Sequence, residues 1–301
     1  MSASASTTSG DRLPLAVSSI ILTVLALSLG DALIKMTSGS FVIWQIFVLR
    51  SLILLPILGC LAFSLGSLRV PAAIGWVTLR SLMLIAMWVS YYLSLPKLSL
   101  PAAAAAYYTL PIFIILFSAI FIGDRISKTG WFAVVLGFLG VLLILRPKAD
   151  DFNAYALLPL ISAMLYAGAM IVTRTRCRDE HPLSLSLALN IGFIIVGGVA
   201  AGIILLLPME LRQGFLLSPW TPMGQAEWIS MGLLAAAILI GSVGAAIAYQ
   251  NGPPAVIGAF DFAYVGFAVI WGIVFFNEAP DVIASIGMIM IVGAGVLSLR
   301  Q

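Results

Sequence analysis

Four ionisable side chains stand inside long apolar stretches of the chain: Asp31, Lys35, Arg50 and Asp261. Within a bilayer each costs at least about 2.5–3.5 kcal/mol at mid-helix, so each needs protein or water around it and a partner. Asp31 and Lys35 are four residues apart, on one helix face and within reach of each other. They read either as a self-neutralising pair, with Lys35 snorkelling to the interface, or as part of a binding site. Arg50 will not deprotonate and sits too deep to snorkel, about 14 Å from its helix end. It either braces Asp31 across a helical hairpin, the favoured reading, or holds an anionic substrate group. Asp261 has no basic neighbour in sequence. It suits a cationic group or a proton, since burial disfavours the charged carboxylate. Opposite charges in one cavity would suit a zwitterion, such as an amino acid or a metabolite derived from one.

Polar aromatics accompany these charges. Tyr107, Tyr108 and Trp88 lie deep in their apolar runs and are the candidates for a cavity wall. Tyr91, Tyr92, Tyr166, Tyr249 and Tyr264 flank the same region, whereas Trp76, Trp220 and Trp228 fit an interfacial belt. Gln45, Asn190 and Gln250 fit interhelical hydrogen bonds better than substrate contacts. Gly130, Gly137 and Gly140, with Gly287, Gly293 and Gly295, would let two helices pack closely. Pro96, Pro101, Pro111, Pro253 and Pro254 mark bends or helix ends, where a carrier can hinge.

The elements that must position these groups are membrane helices. Of 301 residues, 62% are hydrophobic and 9% charged, far below the quarter charged that soluble domains carry. Ten runs are long enough to cross a bilayer: 14–36, 41–63, 77–95, 101–122, 129–146, 154–173, 183–207, 229–249, 255–276 and 282–299. The short alternating segments of a transmembrane barrel are absent. The polar segment 1–13 is read as a cytoplasmic tail, and the run after it as a retained helix rather than a signal peptide. With that end inside, Arg12, Arg69, Arg80, Arg125, Lys128, Arg174, Arg176, Arg178 and Arg300 face the cytoplasm. Only Lys97, Arg146, Lys148 and Arg212 face out, so both termini are expected inside an inner membrane. The net charge of +3 therefore reflects orientation, and no nucleic-acid partner is expected. Cys60 and Cys177 have no metal or redox spacing.

The chain also repeats. Segments 101–145 and 255–299 share a small-residue start, aromatics, an apolar helix, an acidic turn and a Gly-rich helix closing in Gly-Val-Leu. Tyr107 and Tyr108 occupy the repeat position of Phe260 to Phe262. Two halves, 14–147 and 154–300, carry five spans each. An odd number makes the second half enter the membrane from the opposite side, an inverted repeat of the kind found in secondary transporters.

The turn Phe121-Ile122-Gly123-Asp124 and its counterpart Phe275-Phe276-Asn277-Glu278 carry a resemblance, as do the closing segments 137–147 and 293–300. On these features, over about 14–300, the chain resembles the drug/metabolite transporter superfamily, in its EamA-type branch of ten-helix carriers. Asp31-Ala32-Leu33-Ile34-Lys35, Phe47-Val48-Leu49-Arg50 with Pro56, and segment 146–152 look like the branch holding S-adenosylmethionine and riboflavin-type carriers. The chain departs from it at Phe260-Asp261-Phe262, where some members of that branch carry a basic or amide residue. The resemblance implies alternating access around a central cavity, without nucleotide hydrolysis. The sequence agrees on the last point, because 123–129 lacks the glycine that precedes the lysine of a phosphate-binding loop.

The expectation is an all-α membrane protein, a secondary transporter of a small polar or amphipathic metabolite. Its site would hold Asp261, Tyr107, Tyr108, Trp88, Arg50 and Asp31, with Lys35 as structural ion pair or site. A coupling proton is left open. No cofactor is expected, and the oligomeric state is monomer or homodimer. The rivals are a membrane-embedded enzyme acting on a lipid-like substrate and a channel. The lone His181 and the isolated Asp150-Asp151 offer no catalytic cluster, and no filter-like loop is visible.

Overall fold

In the computed structural model, residues 12–67, 70–123, 127–145, 154–261 and 263–298 are described. Every regular element among them is helical. In chain order these are α1 (Leu13–Thr37), α2 (Ile43–Ser64), α3 (Ile74–Ser94), α4 (Leu100–Tyr107), α5 (Leu110–Phe121), α6 (Lys128–Leu145) and α7 (Leu157–Arg176). There follow α8 (Pro182–Leu206), the single turn α9 (Gly214–Leu217), α10 (Gln225–Asn251), α11 (Pro254–Asp261), α12 (Ala263–Phe276) and α13 (Val282–Ser298). Among the described residues, seven helical stretches are long and apolar enough to span a membrane, counting α4 and α5 as one, and three shorter apolar helices accompany them. This is an all-α membrane protein. Large apolar side chains such as Leu22, Phe63, Ile195 and Leu206 lie exposed on its flanks, as a lipid solvent allows.

The run 101–122, expected as one span, divides into α4 and α5 around Tyr108 and Thr109. In this break Pro111 has no N–H, so the carbonyl of Tyr107 loses its usual helical donor. The break places Tyr107 and Tyr108 where the backbone turns. The run 255–276 holds α11 and α12, on either side of residue 262, which lies outside the described residues.

Helix α1 packs on α10, α3 on α7, α2 on α8, α4 on α12, α5 on α11 and α6 on α13. Close approach explains several glycines. A Cβ on Gly140 of α6 would lie 2.6 Å from the backbone oxygen of Gly287 on α13, and one on Gly137 would lie 3.3 Å from the Ala294 Cβ. Gly293 faces open space, so the expected packing role does not extend to it. The segment between α8 and α10 folds back on α2. There Trp44 Nε1 donates to the Leu216 carbonyl at 2.9 Å, and Gln45 bonds Thr221 in both directions at 2.8 and 3.0 Å. Gln45 is thus a tether, as its type suggested. So are Asn190, which accepts from Ser51 Oγ at 3.1 Å, and Gln250, which donates to the Cys177 and Glu180 carbonyls.

Arg80 corrects the reading of the loop charges. The sequence groups it with the cytoplasmic charges, yet it lies two turns inside α3 and is 1% exposed. Arg80 thus joins Asp31, Lys35, Arg50 and Asp261 as a charge set into the apolar helices. Asp124, Arg125, Arg146, Lys148, Asp150, Asp151, Phe262, Arg69 and Arg300 lie outside the described residues.

Candidate functional site

Asp31 from α1, Trp88 and Tyr91 from α3, Tyr107 and Tyr108 at the end of α4, and Asp261 at the end of α11 converge on one cavity. Tyr166 of α7 and Tyr264 of α12 complete its polar wall. Its volume is about 20 Å³, room for about one water. A cavity of this size holds a metabolite only if its walls move apart.

Both carboxylates are buried, at 1% exposure for Asp31 and 3% for Asp261. Tyrosines meet them. Asp261 Oδ2 accepts from the Tyr249 hydroxyl at 3.1 Å and Oδ1 from Tyr108 at 3.4 Å. Asp31 Oδ2 accepts from Tyr264, whose oxygen lies 3.0 Å from the Tyr91 hydroxyl. Since Tyr264 spends its proton on Asp31, Tyr91 must donate to Tyr264. Asp31 Oδ1 is buried without a partner among the described residues. The rings of Tyr108 and Tyr264 stack with centroids 5.0 Å apart, and Tyr107 packs 5.2 Å from Tyr91 and 6.0 Å from Tyr166. Two carboxylates ringed by aromatic faces attract a cation, by direct charge and by the ring quadrupoles.

The two ion pairs read from the sequence are replaced by others. Lys35 does not pair with Asp31. Its Nζ donates to Glu278 Oε1 at 2.7 Å and to the Leu98 carbonyl at 2.8 Å. Glu278 Oε2 in turn accepts from the Leu100 N–H at 2.9 Å. A lysine at the end of α1 thus ties the start of α4 to the turn after α12. Helix periodicity put Asp31 and Lys35 on one face, but a carboxylate from the other half of the chain competes better. Glu278 is the residue that sequence reasoning missed here. The signal was its place as the acid of the second repeat turn.

Arg50 forms no ion pair with Asp31 either. Its Nη1 donates to Tyr92 Oη at 3.1 Å, and its guanidinium lies 4.8 and 4.6 Å from the ring centres of Phe47 and Phe193. Trp88 and Tyr92 are within 5.9 Å. The aromatic rings supply cation–π attraction where a carboxylate was expected, and Asp31 acts on Arg50 only through longer-range attraction. Arg50 is absent from the side chains lining the central cavity, and Lys35 stands at the end of α1. The remaining five sequence candidates, Asp31, Trp88, Tyr107, Tyr108 and Asp261, line it together.

The Lys35–Glu278 bridge is largely shielded, at 14% and 27% exposure. In a double-mutant cycle of Lys35→Met and Glu278→Gln, unfolding in detergent should show a coupling of about 1 kcal/mol. Strictly additive effects would mean that the pair does not hold this end of the molecule together.

The EamA-like transporter family model matches residues 14–146. A pseudopaline exporter of Pseudomonas aeruginosa is 25% identical over 286 residues, covering 94% of this chain and 96% of the relative. A riboflavin transporter of Rhizobium johnstonii is 27% identical over 265 residues, covering 88% of this chain and 82% of its own. An S-adenosylmethionine uptake transporter of Rickettsia conorii is 26% identical over 107 residues, 36% of each chain. One crystal structure aligns with a TM-score of 0.68 at 18% identity, over 95% of this chain and 96% of that one, a likeness of fold. Together the matches point to a transporter and away from an enzyme.

Proposed function

We propose that this member of the drug/metabolite transporter superfamily is a secondary carrier of a small metabolite bearing an amine, an amino acid or an amino-acid derivative. The observation that carries this is the pair of buried carboxylates, Asp31 and Asp261, in one tyrosine-walled cavity that no lysine or arginine among the described residues lines. A desolvated carboxylate needs a counter-charge or a proton. An ammonium group supplies the first, and a coupling proton the second, in competition at the same oxygens.

We read the three shorter apolar helices as spans too, making ten spans in two inverted halves, 14–147 and 154–300, that rock about the cavity. The packing supports this. Exchanging the halves turns the α1–α10 contact into the α7–α3 contact, and maps α2–α8 and α6–α13 onto themselves. The break between α4 and α5 gives the first half a place to bend. In this reading the chain lies in the inner membrane with both termini cytoplasmic, so the Lys35–Glu278 bridge closes the outer end.

The test is counterflow in proteoliposomes. Vesicles preloaded with an unlabelled panel of amino acids and amines should accumulate at least one labelled member about tenfold over empty liposomes. If the proton competes, an inward-acid gradient should accelerate exit of the amine. No accumulation of any panel member would sink the amine reading. Accumulation indifferent to the gradient would remove the proton alone.

A further inference from the structure

Beside the central cavity lies a second one of about 30 Å³. The two share Leu27, Met87, Trp88 and Tyr166, so these side chains form a common wall with a hollow on each side. Arg80 lines the second hollow. Its Nε donates to Thr173 Oγ1 at 2.7 Å, and that hydroxyl donates on to the Ala169 carbonyl at 2.8 Å, which fixes the guanidinium from behind. Its Nη1 is buried and has no hydrogen-bond partner among the described residues. No acid there lies within ion-pair distance of it.

Such an arginine is costly to keep. It stays charged, it is out of water, and its fixed partner is a neutral hydroxyl. Among the described residues, Arg50 is also buried and leaves Nε and Nη2 without hydrogen-bond partners, but aromatic rings enclose it and offset its charge, whereas no ring lies over Arg80. A structural role would be served by an acid on α7 or α8, and none is present. What the position does offer is an unused donor on a side chain that lines a hollow, one wall away from two carboxylates.

We infer that Arg80 is the anion-binding end of the transport site, so that the cargo is a zwitterion whose carboxylate meets Arg80 while its amine meets Asp31 and Asp261. This rests on the carrier reading above and adds the carboxylate requirement to it. The common wall of Trp88 and Tyr166 then contacts the middle of the cargo and sets its length. Closing on a zwitterion neutralises charges at both ends at once, which a simple amine cannot do.

The test compares each member of a panel of amino acids whose amine and carboxylate stand several carbons apart (4-aminobutyrate, 5-aminovalerate, 6-aminohexanoate and lysine) with its methyl ester and with its decarboxylated amine. Binding to purified protein in nanodiscs is read by thermal shift and by tryptophan fluorescence. In the wild-type protein the free acid should bind about 10- to 100-fold more tightly than its ester, the margin of one charge-assisted contact in a buried site. Arg80→Gln should bring acid and ester to within about twofold while the amine still binds, and Arg80→Lys should keep part of the preference. The wild-type comparison does not depend on either variant folding. Equal affinity of acid, ester and amine in the wild type overturns the role of Arg80 and leaves an amine carrier standing. A preference that survives in Arg80→Gln also overturns it. No binding by any member of the three series overturns the carrier reading and this inference with it.

Discussion

Replacing Asp261 by Asn should reduce transport by about 100-fold or more while the protein still folds and inserts. The substitution keeps the shape and both hydrogen-bonding positions. It removes the charge that an ammonium group would meet and the group that could carry a proton. One tyrosine can still donate to the amide oxygen and the other can accept from the amide nitrogen, so the tyrosine wall should stand. The measurement is counterflow with the best labelled panel member, alongside gel filtration in detergent to show an unchanged monodisperse peak. Transport within a few-fold of wild type would remove Asp261 from the site. Asp31→Asn should be milder in folding and equally informative. Its Oδ1 is already unpartnered, so one vacancy becomes an amide donor facing the cavity.

The largest effect on stability is expected at Gly140. Any side chain there must push α6 away from α13, because the nearest atom is the backbone oxygen of Gly287 and not a side chain that can rotate aside. Gly140→Val should destabilise the protein by about 3 kcal/mol or more, in the range of severe overpacking. It should appear as a large fall in the melting temperature in detergent, with Gly293→Val as the matched control. Gly293 belongs to the same helix pair but faces open space. Equal losses for the two would mean that the helices do not meet where Gly140 and Gly287 cross.

Much of this architecture is legible from charge scarcity and run length, because lipid forces the backbone into helices whatever the side chains prefer. The starts and ends of α1, α2 and α8 lie within about two residues of the expected spans, a normal margin for helix ends. Asp31 and Asp261 could be singled out because an isolated acid in an apolar run has few structural excuses. Partners were not legible. Which carboxylate a lysine meets depends on packing between helices far apart in the chain, so Lys35 could be seen to need a partner but not that Glu278 would be it. Arg50 shows a different limit. The search was for an acid, and the rings of Phe47 and Phe193 answered instead. Arg80 was passed over because a charge a few residues from the start of a run usually belongs to the interface. Only the depth of α3 among its neighbours shows otherwise. The break between α4 and α5 is suggested by Pro111, but its exact place is not, since a proline can bend, end or begin a helix.

The hydrogen bonds that Tyr108 and Tyr249 make to Asp261 have a kinetic consequence. A carrier must return empty to complete a cycle of net transport, and an empty site usually resists closing because its charges lose water with nothing to replace it. In the carrier reading, these two hydroxyls offset part of the cost of drying Asp261 when no amine meets it. Asp31 Oδ1 has no such donor among the described residues, so the cost of an unloaded return falls on Asp31. Net one-way flux would then be slower than exchange, and the difference between the two rates would measure what the cargo's amine contributes at Asp31.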